Sequence, residues 1–138
     1  MLDVRTPEEY AWVGHPGANK LGGGSEIANS VINVAWEIEK PGKGYELTTN
    51  NLFMVDVAKL QLDANQPIIT MCRSGARSVA AAQALEAAGY NNLYNMIGGF
   101  EGGADTKGYR TKAAGWKNLG FPYAFGYTAG IDEHIPGN

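Results

Sequence analysis

Residues 67–90 read "PIITMCRSGARSVAAAQALEAAGY", and this stretch decides the fold. "PIITM" (67–71) is a short, continuous apolar run, as expected of a strand covered on both faces. Residues 78–88 are alanine-rich and strongly helical, and Gly89 is a natural C-terminal stop. Between them lies "CRSGAR" (72–77), which carries the only cysteine of the chain. A strand that feeds a helix through a short loop is the unit from which parallel sheets are built.

The rest of the chain repeats that alternation. Leu2 to Arg5 is an apolar-led run that predicts a strand. Thr6-Pro7 then starts a short helix, with Thr6 as N-cap, Pro7 at the first helical position and Glu9 at the third, and it stops at Gly14. Residues 14–30 are rich in Gly, Asn and Ser and read as a loop. "SVINVAW" (30–36) has the β-branched content of a strand, and 37–49 read as a second loop. Asn50 or Asn51 caps a helix over 51–66, with Leu52, Phe53, Val57 and Leu60 on one face and Met54 beside them. "NLYNM" (92–96) is a further short strand. Residues 97–115 are mostly loop, and "AAGWKNLG" (113–120) is expected to make a last helical turn or two. The prediction is an α/β domain with a mainly parallel sheet flanked by helices on both faces. It spans residues 1–123, with 124–138 as a C-terminal tail.

The chain has 138 residues, 44% of them hydrophobic and 18% charged, which suits one domain with a real core and argues against whole-chain disorder. A net charge of −3 disfavours nucleic acid or an anionic membrane as the main partner. No apolar run reaches the length of a membrane span. The opening "MLDVRTPEEY" is charged and lacks the apolar core of a signal peptide. The expected compartment is the cytoplasm, or the periplasm if a leader is absent from this chain. One cysteine excludes an intrachain disulfide and a CxxC site, and with only His15 and His134 besides it, no Cys/His metal cluster is expected. No cofactor is implied.

In a parallel sheet, ligands bind beyond the carboxyl ends of the strands, and 72–77 lies at such an end. Unpaired backbone N–H groups at the start of the following helix, with the positive end of its dipole behind them, form a nest for an anion. Gly75 permits the tight turn. Arg73 and Arg77 add two permanent positive charges. A lone cysteine is more often a small buried hydrophobe, but this setting depresses a thiol pKa and makes Cys72 a candidate nucleophile. No acid or base lies nearby in sequence, which suits attack on a sulfur–sulfur bond, where the leaving group departs as an anion. A cysteine phosphatase or arsenate reductase is the competing reading, and phosphatase loops supply its test. Such loops place five residues between Cys and Arg, whereas four separate Cys72 from Arg77 here, and Ser78 stands where that arginine would be.

These residues resemble the rhodanese family. "CRSGARS" is similar to its six-residue active loop, C-R-x-G-x-R. "LDVRTPEEY" resembles the family's "DVR-x-x-x-E-[FY]", "GHPGAN" (14–19) its "GH-I-P-G-A" segment, and "YNMIGGF" followed by "GW…LGFPY" its closing "GG…W…G-[LF]-P". The resemblance implies a rhodanese-like fold and a thiosulfate-type sulfurtransferase. Cys72 would take a sulfane sulfur from a small anionic donor such as thiosulfate and pass it from a persulfide to cyanide, a thiol or a protein acceptor. Arg73, Ser74, Gly75, Ala76 and Arg77 would bind the substrate, and the paired arginines resemble thiosulfate-type loops more than mercaptopyruvate-type ones. A persulfide carrier or interaction module that serves a protein partner is the alternative.

Asp3 and Arg5 of "DVR" read as a structural pair that ties the loop to the next helix through Glu8 or Glu9, and His15 reads as part of a turn. The chain departs from the family pattern in three ways. Only Met1 and Leu2 precede Asp3, so a shortened N-terminal edge is expected. "GHPGAN" lacks the family's isoleucine. The loops at 19–30, 37–49 and 101–114 are long and are expected to narrow the pocket. "EHIPGN" (133–138) echoes the "GHIPGA" segment but reads as an unstructured end.

Overall fold

The computed structural model describes residues 1–43, 46–110 and 112–127. Its elements in chain order are β1 (Leu2–Asp3), a wide helical turn over Glu9–Val13, β2 (His15–Pro16), β3 (Ile32–Asn33), β4 (Glu37–Glu39), β5 (Leu47–Thr49), α1 (Phe53–Lys59), β6 (Ile68–Met71), α2 (Ala76–Ala87), β7 (Leu93–Asn95) and β8 (Tyr123–Ala124). Four strands form one parallel sheet in the order β3-β1-β6-β7. The architecture is α/β, with a mainly parallel sheet flanked by helices. β1 lies inside the sheet, and its edges belong to β3 and β7.

Register explains the core. Leu2 pairs with both Ile32 and Thr70, so alternate residues of the neighbouring strands share a face. Leu2, Val4, Val34, Ile68 and Cys72 form one buried cluster with Phe53 and Val57 of α1 and Ala81 and Leu85 of α2. Each Leu, Val, Ile or Phe side chain among them stabilises the fold by roughly 1.5–3 kcal/mol relative to its exposed state. Ile69 is 37% exposed, so β6 is less completely covered than its apolar run suggests.

Helix ends follow local chemistry. The Thr6 hydroxyl accepts the Glu9 N–H at 3.2 Å, and the Glu9 carboxylate accepts the Thr6 N–H at 3.1 Å, a complete capping box. Neither Asn50 nor Asn51 caps α1, whose N-cap is Leu52 with no side-chain cap; Asn50 folds the turn that precedes it, its Oδ1 accepting the Leu52 N–H at 3.0 Å while its Nδ2 donates to the Ala35 carbonyl. Helix α1 is shorter than the 51–66 pattern predicts, since the chain passes into a left-handed conformation at Gln61 (φ +51°). Leu52, expected on the buried face, is 44% exposed. Helix α2 closes as a Schellman motif: Gly89 sits at φ +98°, Gly89 N–H donates to Glu86 O and Tyr90 N–H to Leu85 O.

Three segments differ from the sequence reading. Residues 37–49 carry an antiparallel hairpin, β4–β5, pairing Glu37 with Thr49 and Glu39 with Leu47. Within the 14–30 loop, β2 pairs antiparallel with β8, His15 opposite Ala124. Residues 115–120 form turns and no helix. Long-range pairing made both ladders, and neither carries a period in its own sequence. Residues after Ala124 stay close to the body of the domain: the Gly126 N–H donates to Ala11 O, and the Tyr127 hydroxyl to Pro7 O at 2.6 Å. "EHIPGN" and His134 lie outside the described residues. No helix among the described residues is long and apolar enough to cross a membrane.

Candidate active site

The loop 72–77 leaves the carboxyl end of β6 and enters α2, with Cys72 buried at its base. Gly75 adopts φ +123°, and the space about it is open. Glycine is therefore required there by backbone conformation and not by crowding. That conformation turns the Gly75 N–H onto the Cys72 sulfur at 3.0 Å. The Ser78 hydroxyl stands 3.3 Å from the same sulfur and 3.1 Å from the Gly75 carbonyl. Burial pushes the Cys72 thiol pKa up, but the Ser78 hydroxyl and the backbone N–H groups of Ser78, Gly75 and Ser74 outweigh it and bring the pKa below the ordinary thiol value. The thiolate is thus favoured by hydrogen bonds to the sulfur itself.

A second strand of chain straps this loop from outside. The Phe100 N–H donates to Cys72 O and the Glu101 N–H to Arg73 O, both at 2.9 Å. Gly99 (φ +56°) makes this approach possible, because a Cβ there would collide with the Cys72 carbonyl.

Both arginines of the loop have carboxylate partners that sequence reading did not assign. Arg77 Nη1 and Nη2 bind the two oxygens of Glu9 at 2.7 and 2.8 Å, a bidentate pair. Burial alone would raise the Glu9 carboxyl pKa. The Arg77 hydrogen bonds and charge, with the Thr6 N–H and Arg5, hold it below the usual carboxylate value. Arg73 Nε meets Glu101 at 3.2 Å. Ser74 and Ala76 are exposed at the loop surface.

Asp3 and Arg5 form a pair as expected, but not through Glu8 or Glu9. Arg5 is wholly buried, donates from Nε and Nη2 to Asp3 and from Nη2 to the Gly14 carbonyl at 2.7 Å, and lies 4.3 Å over the centre of the Phe100 ring. Asn33 Nδ2 donates to the carbonyls of both Asp3 and Arg5. His15 is buried and stacked on Tyr10 at 3.8 Å, its two ring nitrogens facing Pro16 O and Gly126 O. It has a structural place in the β2–β8 corner.

A groove of about 480 Å³ opens beside the loop, walled by Glu8, Glu9, Trp12, Glu39, Leu47, Arg73, Arg77 and Glu101. Among the described residues no cluster of His, Cys, Asp and Glu is arranged to hold a metal ion.

Ser78 was visible in the sequence only as the residue following Arg77; its contact with Cys72 appears once α2 is wound. Removing its hydroxyl withdraws one charge-assisted donor from the thiolate. Ser78→Ala is expected to move the alkylation profile of Cys72 to higher pH and to slow alkylation at pH 7 by roughly tenfold. A profile that does not move would assign the thiolate's stabilisation to the backbone alone.

Comparisons with known proteins place the chain in a family. A model of the rhodanese-like domain matches residues 1–106. The uncharacterized protein RC0915 of Rickettsia conorii is 34% identical over 118 residues, 85% of this chain and 81% of that protein. Thiosulfate sulfurtransferase 18 of Arabidopsis thaliana is 33% identical over 99 residues, 72% of this chain and 62% of that enzyme. The crystal structure of Rv0390 from M. tuberculosis superposes with a TM-score of 0.67 at 35% identity, covering 91% of this chain and 83% of that one. The matched region includes the loop with its buried cysteine, and this chain belongs to the rhodanese-like domain family.

Proposed function

We propose that the chain moves a sulfane sulfur from thiosulfate, or a similar small anionic donor, to cyanide or a thiol through a persulfide on Cys72. Family membership and the thiosulfate sulfurtransferase relatives support sulfur transfer as the class of reaction. The observation that carries the finer reading is the Cys72 sulfur, buried and within reach of the Gly75 N–H and the Ser78 hydroxyl, with its pKa lowered.

The Cys72 thiolate attacks the outer sulfur of thiosulfate. A new sulfur–sulfur bond forms to Cys72, the old one breaks, and sulfite leaves with the electron pair. No proton moves in this step, which suits a site whose donors are backbone N–H groups and one hydroxyl. The same donors then face the persulfide. An acceptor anion attacks the outer sulfur and returns Cys72 as thiolate. Arg73 and Arg77, with Ser74, Gly75 and Ala76, form the donor's binding loop. Arg73 meets Glu101 through Nε, which supports a role for its terminal nitrogens in holding a donor's oxygens.

The test is the intact mass after incubation with thiosulfate. A gain of one sulfur atom, mapped to Cys72 and removed by cyanide, is the expected result. A protein that gains no sulfur from thiosulfate or from an alternative sulfane donor would sink the reading.

A further inference from the structure

The groove beside the loop is larger than thiosulfate or cyanide needs, and away from the loop its rim is acidic. Four carboxylates and two guanidinium groups line it. The guanidinium groups are already matched, Arg77 by Glu9 and Arg73 by Glu101. Glu8 and Glu39 are both exposed and leave the groove acidic on balance. Glu37 adds a further negative charge, acting on Arg77 from β4. A cation is drawn toward such a rim.

The walls are apolar and contoured. Trp12 is 82% exposed and borders this groove on one side and a second on the other, the latter formed with Ala11, Phe125, Gly126 and Tyr127. Leu47 of the β4–β5 hairpin is 36% exposed and forms part of the facing wall. An exposed tryptophan between two grooves, one of them shared with the two arginines of the loop and acidic on balance, has the composition of a protein-binding surface.

We infer that the sulfur acceptor is a cysteine thiol on a positively charged protein segment, which docks along Trp12 and Leu47 with its Lys or Arg side chains against Glu8 and Glu39. This rests on the sulfurtransferase reading and names its acceptor. The acceptor thiolate attacks the outer sulfur of the Cys72 persulfide, that sulfur–sulfur bond breaks, and the electron pair returns to Cys72 Sγ. The segment leaves as a persulfide, and no outside oxidant or reductant takes part.

The experiment uses protein loaded on Cys72 and two synthetic peptides that each carry one cysteine, flanked by Lys and Arg in one and by Asp and Glu in the other. Loading is read first by mass. The cationic peptide is expected to take the sulfur about tenfold faster at low ionic strength, the advantage shrinking as salt rises. In Glu8→Gln/Glu39→Gln, two exposed positions where folding is not at stake, the ratio of the two rates is expected to fall by at least about threefold. Protein that loads but discharges equally to both peptides overturns the acceptor assignment and leaves the sulfurtransferase reading standing. So does a preference that survives unchanged in the double variant. Protein that loads from no sulfane donor overturns both.

Discussion

Cys72→Ser is expected to abolish thiocyanate formation from thiosulfate and cyanide, with a loss of at least about 10³-fold. Serine is the nearest isostere and can still accept from the Gly75 N–H and the Ser78 hydroxyl, so the loop is expected to retain its shape. What disappears is the soft anion. A thiol with a lowered pKa ionises at lower pH than an ordinary thiol, whereas a hydroxyl in the same cradle stays protonated. No second cysteine exists to take over. The assay is discontinuous thiocyanate detection alongside the mass of the variant. Full activity in the serine variant would place the sulfur elsewhere and refute the persulfide route. The pH dependence carries a sign. Because the pKa is depressed, loading should reach its plateau at a lower pH than an ordinary thiol would allow, and should fall as the pH drops through the lowered value.

Arg5→Met is expected to cost about 3–5 kcal/mol of stability, a large share of what a domain of this size holds. The substitution leaves the Asp3 carboxylate, itself wholly buried, without its cation. Phe100 loses the guanidinium above its ring, and Gly14 O loses its donor. Urea denaturation measures the loss. Replacing both partners, as in Asp3→Ala/Arg5→Met, should cost less than the single change, since no lone charge then remains. A single variant as stable as the parent would show that the pair contributes nothing to the fold. Function should suffer with stability, because the Phe100 N–H holds the Cys72 carbonyl.

Much of this was legible in the sequence where chemistry is local. Thr6 and Glu9 announce a capping box, Gly89 a helix stop, and "PIITMCRSGAR" a strand that opens onto a loop and a helix. Each depends on neighbours within a few residues. What the sequence did not show is made at long range. Arg77 meets Glu9 across 68 positions, and Arg73 meets Glu101 only after the chain returns past Gly99. A reading of two arginines four positions apart therefore counts two free cations where the fold pairs each with a carboxylate. The hairpin at 37–49 and the β2–β8 ladder were hidden for the same reason. Two or three residues per strand carry no period, and only the partner strand defines them.

The strap over the active loop has one more consequence. Its bonds run from the backbone of Phe100 and Glu101 to the carbonyls of Cys72 and Arg73, so those carbonyls are turned outward and the loop's amides inward. The shape of the cradle is written in main chain and owes nothing to the exposed side chains of Ser74 and Ala76. Those two positions are therefore open to drift. Substitutions there can retune which donors and acceptors are admitted while the chemistry of the sulfur is inherited unchanged.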